Sequence, residues 1–156
     1  KLTTVRNNIT SITLTTLKRM LINTVQEKSL AKKYIDEFHI KVTGDGQIMG
    51  SLSGGNQQKV IIGRCFSTSP HLVILDEPTR GVDAGARSDV YAIIKELKKT
   101  GVAILLISSD MEEIMTMSDR VVTMYRGRIN HEFSKAEINE QALMAASFGV
   151  QKGMAG

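Results

Sequence analysis

The spacing of apolar residues changes near residue 50. Before that point, apolar residues recur at helical spacing in two sets: Leu14, Leu17, Leu21 and Val25, followed by Leu30, Tyr34, Ile35 and Phe38. This period predicts amphipathic helices. Three glycines between Thr43 and Gly50 predict a loop, which ends the helical part of the chain.

Two continuous apolar runs follow, at Leu72–Leu75 and Val102–Ile107. Runs of this length are typical of parallel strands that are buried on both faces. Between them, Val90, Ile94 and Leu97 form one stripe of a helix that ends at Gly101. The pattern predicts a strand–helix–strand unit with a right-handed crossover, and therefore an α/β fold.

The last part of the chain predicts a hairpin and a helix. Val121–Tyr125 and Arg128–Phe133 flank Arg126-Gly127, a dipeptide that favours a tight turn. Ser134 stands three residues before Glu137, the spacing of a capping box. We therefore expect a helix to begin at Ser134.

Length and composition set broad limits on these elements. The 156 residues correspond to about one domain. The single cysteine, Cys65, excludes an internal disulfide framework, and the three histidines lack metal-ligand spacing. No apolar run approaches the ~18 residues of a membrane span. Nothing at the start resembles a secretion leader, so we expect no export.

The net charge of +4 is unevenly distributed. Residues 1–59 carry nine basic and four acidic groups, whereas residues 60–156 carry eleven and twelve. The basic excess is consistent with a surface for nucleic acid, anionic lipid or an acidic partner, and equally with a solvated face. Aromatic residues make up only 4% and there is no tryptophan, which argues against stacking platforms for single-stranded nucleic acid.

The first segment with chemical content is Leu52–Lys59, which reads LSGGNQQK. Its glycine pair lies at the start of a helix that we expect to continue to Phe66. Ser53 can cap that helix, and the glycines allow a ligand to approach backbone N–H groups. Because the helix dipole adds positive charge there, phosphate is the ligand that fits. A flexible turn without a ligand is the alternative.

The second segment is the run Leu72–Leu75 followed by Asp76 and Glu77. Ligands of open α/β sheets lie at the carboxyl ends of strands, where these two acids stand. Asp76 can hold Mg²⁺ and Glu77 can polarise an attacking water. Alternatively, the two acids meet solvent or cap the next helix.

Together the two segments resemble the ATP-binding cassette (ABC) ATPases. Asp76 matches the family's Walker B aspartate, a magnesium-holding position, and Glu77 matches the glutamate regarded as the catalytic base. The residues that match nucleotide-contacting positions are Ser53, Gly54, Gly55, Asn56 and Gln57 in the signature motif, and Asp83 in the D-loop.

The combination of LSGGNQQK with DEPTRGVD resembles the second cassette of the tandem ATPase subunits of bacterial monosaccharide importers, of the ribose, galactose and arabinose types. The resemblance implies a P-loop NTPase-type α/β fold, with a partly parallel sheet flanked by helices. Residues 1–51 would form a helical subdomain. Residues 52–156 would form the signature helix, the core, the hairpin and the last helix.

The same resemblance implies an ATPase that couples ATP hydrolysis to monosaccharide uptake, with ATP and Mg²⁺ as cofactors. A second cassette and transmembrane permease subunits would be its partners. A periplasmic or extracellular sugar-binding protein would take part indirectly, and no nucleic acid is expected. The protein would be cytoplasmic and peripheral to the inner face of the membrane.

The sequence has two larger departures from the family pattern. It contains no G-x-x-x-x-G-K-[ST] motif, so we expect the front of the fold to be absent and this chain alone to be inactive. Ser109 stands where the family usually has a catalytic histidine, and a hydroxyl cannot carry the imidazolium charge. Ser109 through Glu112 also has the spacing of a capping box, which predicts a structural role.

Two other functions remain open from the sequence. One is an ABC ATPase fragment that acts on nucleic acid or the ribosome, in keeping with the basic front. The other is a non-catalytic cassette that only completes the ATP site of a partner.

Overall fold

The computed structural model describes residues 3–16 and 24–150, and the side chains of all these except residues 14–16. The predicted apolar positions Leu17 and Leu21 lie outside the described residues. The chain divides between Leu105 and Leu106 into two compact units. The boundary expected between residues 51 and 52, which would separate a helical subdomain from the core, stays a prediction.

Three helices form the first part of the first unit: α1 (Val5–Thr16), α2 (Thr24–Glu37) and α3 (Gly54–Phe66). The phenol of Tyr34 donates a hydrogen bond to the carbonyl of Phe66 at 2.8 Å and joins α2 to the end of α3. Val25 is 75% exposed, so the predicted apolar stripe does not extend to it. The buried side chains that hold the helices together are Val5, Ile9, Ala31, Tyr34, Phe38, Val60, Ile62 and Phe66.

A strand, a helix and a second strand follow: β1 (Leu72–Asp76), α4 (Ala84–Lys99) and β2 (Ala103–Ile107). The two strands pair in one sheet. The stripe predicted for α4 is confirmed, because Val90, Ile94 and Leu97 are all buried. Gly101, with φ +88°, ends the turn after α4 in a conformation that glycine adopts easily.

The prediction that both strands are buried on both faces is wrong. On β1, Val73 and Leu75 are buried, whereas Leu72 and Ile74 are 56% and 59% exposed. Leu105 and Ile107 on β2 are also about half exposed. Successive side chains of a strand point to opposite faces, and the described residues cover only one face of β1.

The second unit contains α5 (Met111–Met117), β3 (Arg120–Tyr125), β4 (Arg128–Ser134) and α6 (Glu140–Ser147). The predicted hairpin is confirmed, with β3 and β4 antiparallel and a register shift between Thr123 and Met124. Its two turn residues both have positive φ, 47° at Arg126 and 76° at Gly127, as a tight hairpin turn requires. The core consists of Val121, Phe133, Leu143 and Ala146.

The last helix begins later than the capping box predicts. The N–H and the hydroxyl of Ser134 both donate to the Glu137 carboxylate, at 3.0 and 2.7 Å. However, only a single 3₁₀ turn follows. α6 begins at Glu140, because the side chain of Asn139 accepts from the Ala142 N–H at 2.9 Å and provides the cap.

Candidate functional site

Ser53 begins α3 without capping it through its side chain. Its backbone is extended, and its hydroxyl accepts a hydrogen bond from the Asn56 side-chain amide at 2.9 Å rather than from a backbone N–H of the first turn. The predicted Ser53 side-chain cap is therefore wrong. The positive end of the helix dipole remains available to an anion from outside the chain.

Close packing requires a glycine at position 55, whether or not a ligand binds there. A Cβ atom at Gly55 would lie 2.3 Å from the Cβ atom of Ala86 on α4, which is closer than two non-bonded carbon atoms can approach. At Gly54 the nearest atom to such a Cβ would be the carbonyl oxygen of Gly81 at 3.5 Å, an ordinary contact. The start of α3 and the start of α4 therefore approach each other closely at Gly55.

Asp83 caps α4 next to this contact. Its carboxylate accepts from the Ala86 N–H at 3.0 Å. The Gln57 side chain donates to the carbonyl of Leu52 at 2.8 Å. A cavity of about 290 Å³ lies between the two helix starts and brings most of the predicted signature residues together with the D-loop. The residues that line it are Lys41, Ser53, Gly55, Asn56, Lys59, Asp83, Gly85, Ala86 and Asp89.

Lys59 and Asp89 are site residues that the sequence did not single out. The Lys59 side chain is 6% exposed, and its ammonium donates to the Asp89 carboxylate at 2.9 Å. The hydrogen bond and the charge of Lys59 hold the pKa of Asp89 below its ordinary value. Helical spacing could have indicated these two residues. Lys59 follows Gly55 by four residues and Asp89 follows Ala86 by three, so each lies on the same helix face as the residue at the close contact.

Asp76 and Glu77 end the strand β1 at a different place. Asp76 is exposed, and Glu77 has φ +48°, a left-handed conformation that is uncommon for a residue with a side chain. The N–H of Arg80 donates to the carbonyl of Glu77 at 3.1 Å and closes a turn. Neither acid lines the cavity beside Ser53. Asp83 caps α4, so the alternative in which these two acids cap the next helix is wrong.

The surroundings of Asp76 fit a magnesium ion that arrives with a nucleotide. Within residues 3–16 and 24–150, no group of three or more His, Cys, Asp or Glu side chains could hold a metal. Mg²⁺ commonly uses only one or two carboxylates, with phosphates and waters as its other ligands. One exposed carboxylate at a strand end therefore suits a nucleotide-bound ion better than a site made by protein alone.

Ser109 lies in the second unit and is exposed. The prediction that it begins a capping box is wrong, because the cap of α5 is the next residue. The Asp110 carboxylate accepts from the Glu113 N–H at 3.1 Å, and the Asp110 N–H donates to the hydroxyl of Ser108 at 3.0 Å. The matching of Ser109 to the catalytic histidine position stays a prediction.

Known proteins resemble the chain over most of its length. It is 42% identical over 144 residues to the ribose import ATP-binding protein of Caldanaerobacter subterraneus subsp. tengcongensis, which is 89% of this chain and 29% of that protein. It is 44% identical over 142 residues to the xylose import ATP-binding protein of Moorella thermoacetica, 89% of this chain and 28% of that protein. The chain thus spans less than a third of the length of these relatives.

Solved structures agree in fold. The ADP conformation of MJ1267, an ATP-binding cassette of an ABC transporter, has a TM-score of 0.70 and 26% identity, over 88% of this chain and 57% of that one. The dimeric structure of MJ0796, a bacterial ABC transporter cassette, has a TM-score of 0.72 at 20% identity, over 86% and 57%.

None of the helices in the described part of the chain combines the length and hydrophobicity that a bilayer crossing needs. A family model, "ABC transporter", matches residues 1–80, slightly more than half of the chain. The chain belongs to the ABC transporter family and has the α/β fold of its ATP-binding cassettes.

Proposed function

We propose that the chain is part of an ATP-binding subunit of a monosaccharide importer, in which ATP binding and hydrolysis drive sugar uptake. The observation that carries this proposal is the identity of 42–44% to ribose and xylose import ATP-binding proteins over nearly nine-tenths of the chain. The signature and D-loop sequences lie within the matched region.

The start of α3 would contact ATP that a partner cassette holds. The residues proposed for this contact are Ser53, Gly54, Gly55, Asn56 and Gln57, with Asp83 on the adjacent loop. Two observations support the assignment. The side chain of Ser53 leaves the first-turn N–H groups of α3 uncapped. Asp83 lines the same cavity as Ser53 and Asn56.

Asp76 and Glu77 would serve the nucleotide of this cassette's own site. Asp76 would hold Mg²⁺, which supplies positive charge to neutralise the phosphates. Glu77 would accept a hydrogen bond from the attacking water and orient it. Ser109 would occupy the position of the catalytic histidine and offer a neutral hydroxyl in its place.

The proposed partners follow from the same relatives. A second cassette would complete the ATP site, and transmembrane permease subunits would anchor the protein on the cytoplasmic face of the membrane. A sugar-binding protein on the other side would take part only indirectly. Residues 1–51 would be the helical subdomain that meets the permease, and residues 52–156 would belong to the catalytic core.

The codons upstream of Lys1 test the proposal most directly. We expect them to encode a P-loop, preceded by a complete first cassette. Long heptad repeats in that position would contradict the importer proposal, because they are expected of chromosome-maintenance ATPases.

An ATPase assay of the assembled importer then tests the chemistry. Glu77→Gln should lower turnover about 100-fold, because the base that orients the water is lost. Glu112→Gln, an exposed glutamate on α5, is the matched control and should have no effect. The 156-residue chain alone should show no magnesium-dependent turnover. Turnover by that chain that disappears in Glu77→Gln would contradict the proposal.

A non-catalytic cassette is the second candidate, because a serine at the proposed position of the catalytic histidine would weaken hydrolysis in the cassette's own site. Such a cassette would complete a partner's site through Ser53 and Gly54 without hydrolysing ATP in its own. In that case Glu77→Gln would leave the turnover of the complex unchanged, whereas Gly54→Asp would lower it by placing a carboxylate beside the phosphates.

A further inference from the structure

Three segments of the first unit meet beside the Ser53 turn: the residues that follow α2, the start of α3 and the first half of α4. The N–H of Lys41 donates to the side-chain oxygen of Asn56 at 2.9 Å. The ammonium of Lys59 donates to the carbonyl of His39 at 3.4 Å and to the Asp89 carboxylate at 2.9 Å. One buried ammonium therefore contacts both of the other segments.

The burial of Lys59 shows that these contacts are specific. Its side chain is 6% exposed, whereas that of Asp89 is 58% exposed. A buried ammonium is stable only where its charge is paired and its donors are satisfied. An apolar residue would fill the same space without that requirement. The directional contacts of Lys59 therefore fix the geometry of the junction in a way that packing alone would not.

The contact between Gly55 and Ala86 makes the junction stiff. It lies one helical turn before Lys59 on α3 and three residues before Asp89 on α4. The two helices are thus joined at two neighbouring points, one by close packing and one by an ion pair. A shift of α3 relative to α4 would have to break both.

We propose that Lys59 is a positioning residue. It holds the start of α3, residues 53–55, in place against the Asp83 loop and against the residues that follow α2. The proposal rests on the importer function proposed above. Lys59 acts through Asp89 and His39, and the three segments move together. A displacement of the helical region that would meet the permease would therefore also displace the residues that would contact ATP.

Amide hydrogen exchange of the 156-residue chain tests the junction without any nucleotide. Lys59→Met should speed exchange at the amides of residues 57–60 about tenfold, because these N–H groups donate to backbone carbonyls at the start of α3, which is no longer fastened to α4. Lys59→Arg should restore slow exchange, since a guanidinium can make the same two contacts. Lys95→Met, an exposed lysine of α4, is the matched control. Exchange in α6 should be the same in every variant.

If Lys59→Met does not fold, Asp89→Asn takes its place. This variant removes the negative charge that pairs with Lys59. It should accelerate exchange at the same amides by less than Lys59→Met does. Unchanged exchange at residues 57–60 in the variant that folds would overturn the proposal.

Kinetics of the assembled importer separate positioning from direct binding. Lys59→Met should lower kcat about tenfold and change the KM for ATP less than about twofold, with recovery in Lys59→Arg. A raised KM at unchanged kcat would mean that Lys59 binds the nucleotide itself and would overturn the proposal. If the wild-type complex hydrolyses no ATP, the importer function fails, while the exchange measurement still decides whether the junction exists.

Discussion

The two halves of the candidate site differ in how completely the described chain surrounds them. The start of α3 is held on several sides, by Ala86 packed against Gly55, by Asp89 paired with Lys59 and by Lys41 bonded to Asn56. The end of β1 is covered on one face only, and Asp76 lies on the exposed face with Leu72 and Ile74.

This difference agrees with the proposed division of labour. A turn that presents backbone N–H groups to a nucleotide held by another cassette has to be rigid before the partner arrives. Carboxylates that serve the cassette's own nucleotide need a surface that receives it. The exposed face of β1 would supply that surface, and its apolar side chains Leu72 and Ile74 are typical of a face that contacts another molecule or segment.

The largest expected effect tests the two faces of β1. Leu75→Ala should reduce the free energy of unfolding by about 2–4 kcal/mol, because it empties a buried position. Ile74→Ala, its exposed neighbour, should cost less than about 1 kcal/mol. Urea unfolding of the 156-residue chain measures both. Equal losses would show that the outer face of β1 is covered in solution, and the contrast with α3 would disappear.

The contact between the helix starts can be tested with two neighbouring glycines. Gly55→Ala should lower the free energy of unfolding by about 1–3 kcal/mol, because its methyl group collides with Ala86. Gly54→Ala should be neutral or slightly stabilising, since its methyl group has room and alanine favours helix. Similar values for the two variants would mean that α3 and α4 are not in close contact.

A smaller effect distinguishes the caps of α3 and α4. Asp83→Ala should cost about 1 kcal/mol, because its carboxylate accepts from the Ala86 N–H. Ser53→Ala should cost no more than about 0.5 kcal/mol, because its hydroxyl accepts from the Asn56 side chain and from no backbone N–H of the first turn. Thermal unfolding monitored by circular dichroism checks the order. A larger loss for Ser53→Ala would show that Ser53 caps α3 after all.

The smallest effect is the pH dependence of the Lys59–Asp89 pair. The pKa of Asp89 is lowered in the folded state by its bond to Lys59, so the pair stabilises the fold above the ordinary pKa of an aspartate. That contribution is lost as the pH falls through the lowered pKa. The difference in Tm between wild type and Asp89→Asn should therefore shrink on acidification from pH 6 towards pH 3. A constant difference would place Asp89 outside the pair.

Local pattern was sufficient to predict much of the fold. The stripe on α4 and the Arg126-Gly127 hairpin follow from periodicity and turn chemistry, which depend on nearby residues. The motifs also identified the family from two short segments. The burial of β1 could not be predicted in the same way, because whether a strand is covered on one face or two depends on distant parts of the chain.

Helix starts and the Lys59 junction show the same limit. Ser53, Ser109 and Ser134 were predicted to cap α3, α5 and α6, yet the Ser53 side chain makes no cap bond, and α5 and α6 are capped by Asp110 and Asn139. Several polar residues near a helix start compete for the same N–H groups, and only the path of the backbone decides between them. The role of Lys59 could not be predicted from the motif, because its partner Asp89 lies thirty residues further along the chain.

The backbone conformation of Glu77 affects how this protein can be engineered for stability. Its left-handed conformation costs on the order of 1 kcal/mol relative to glycine, which adopts it without strain. Selection for thermal stability alone would therefore favour replacing a side chain that the proposed chemistry requires. Screens for robust variants of this cassette would tend to return proteins that fold better and transport worse, with the trade-off concentrated at a single position.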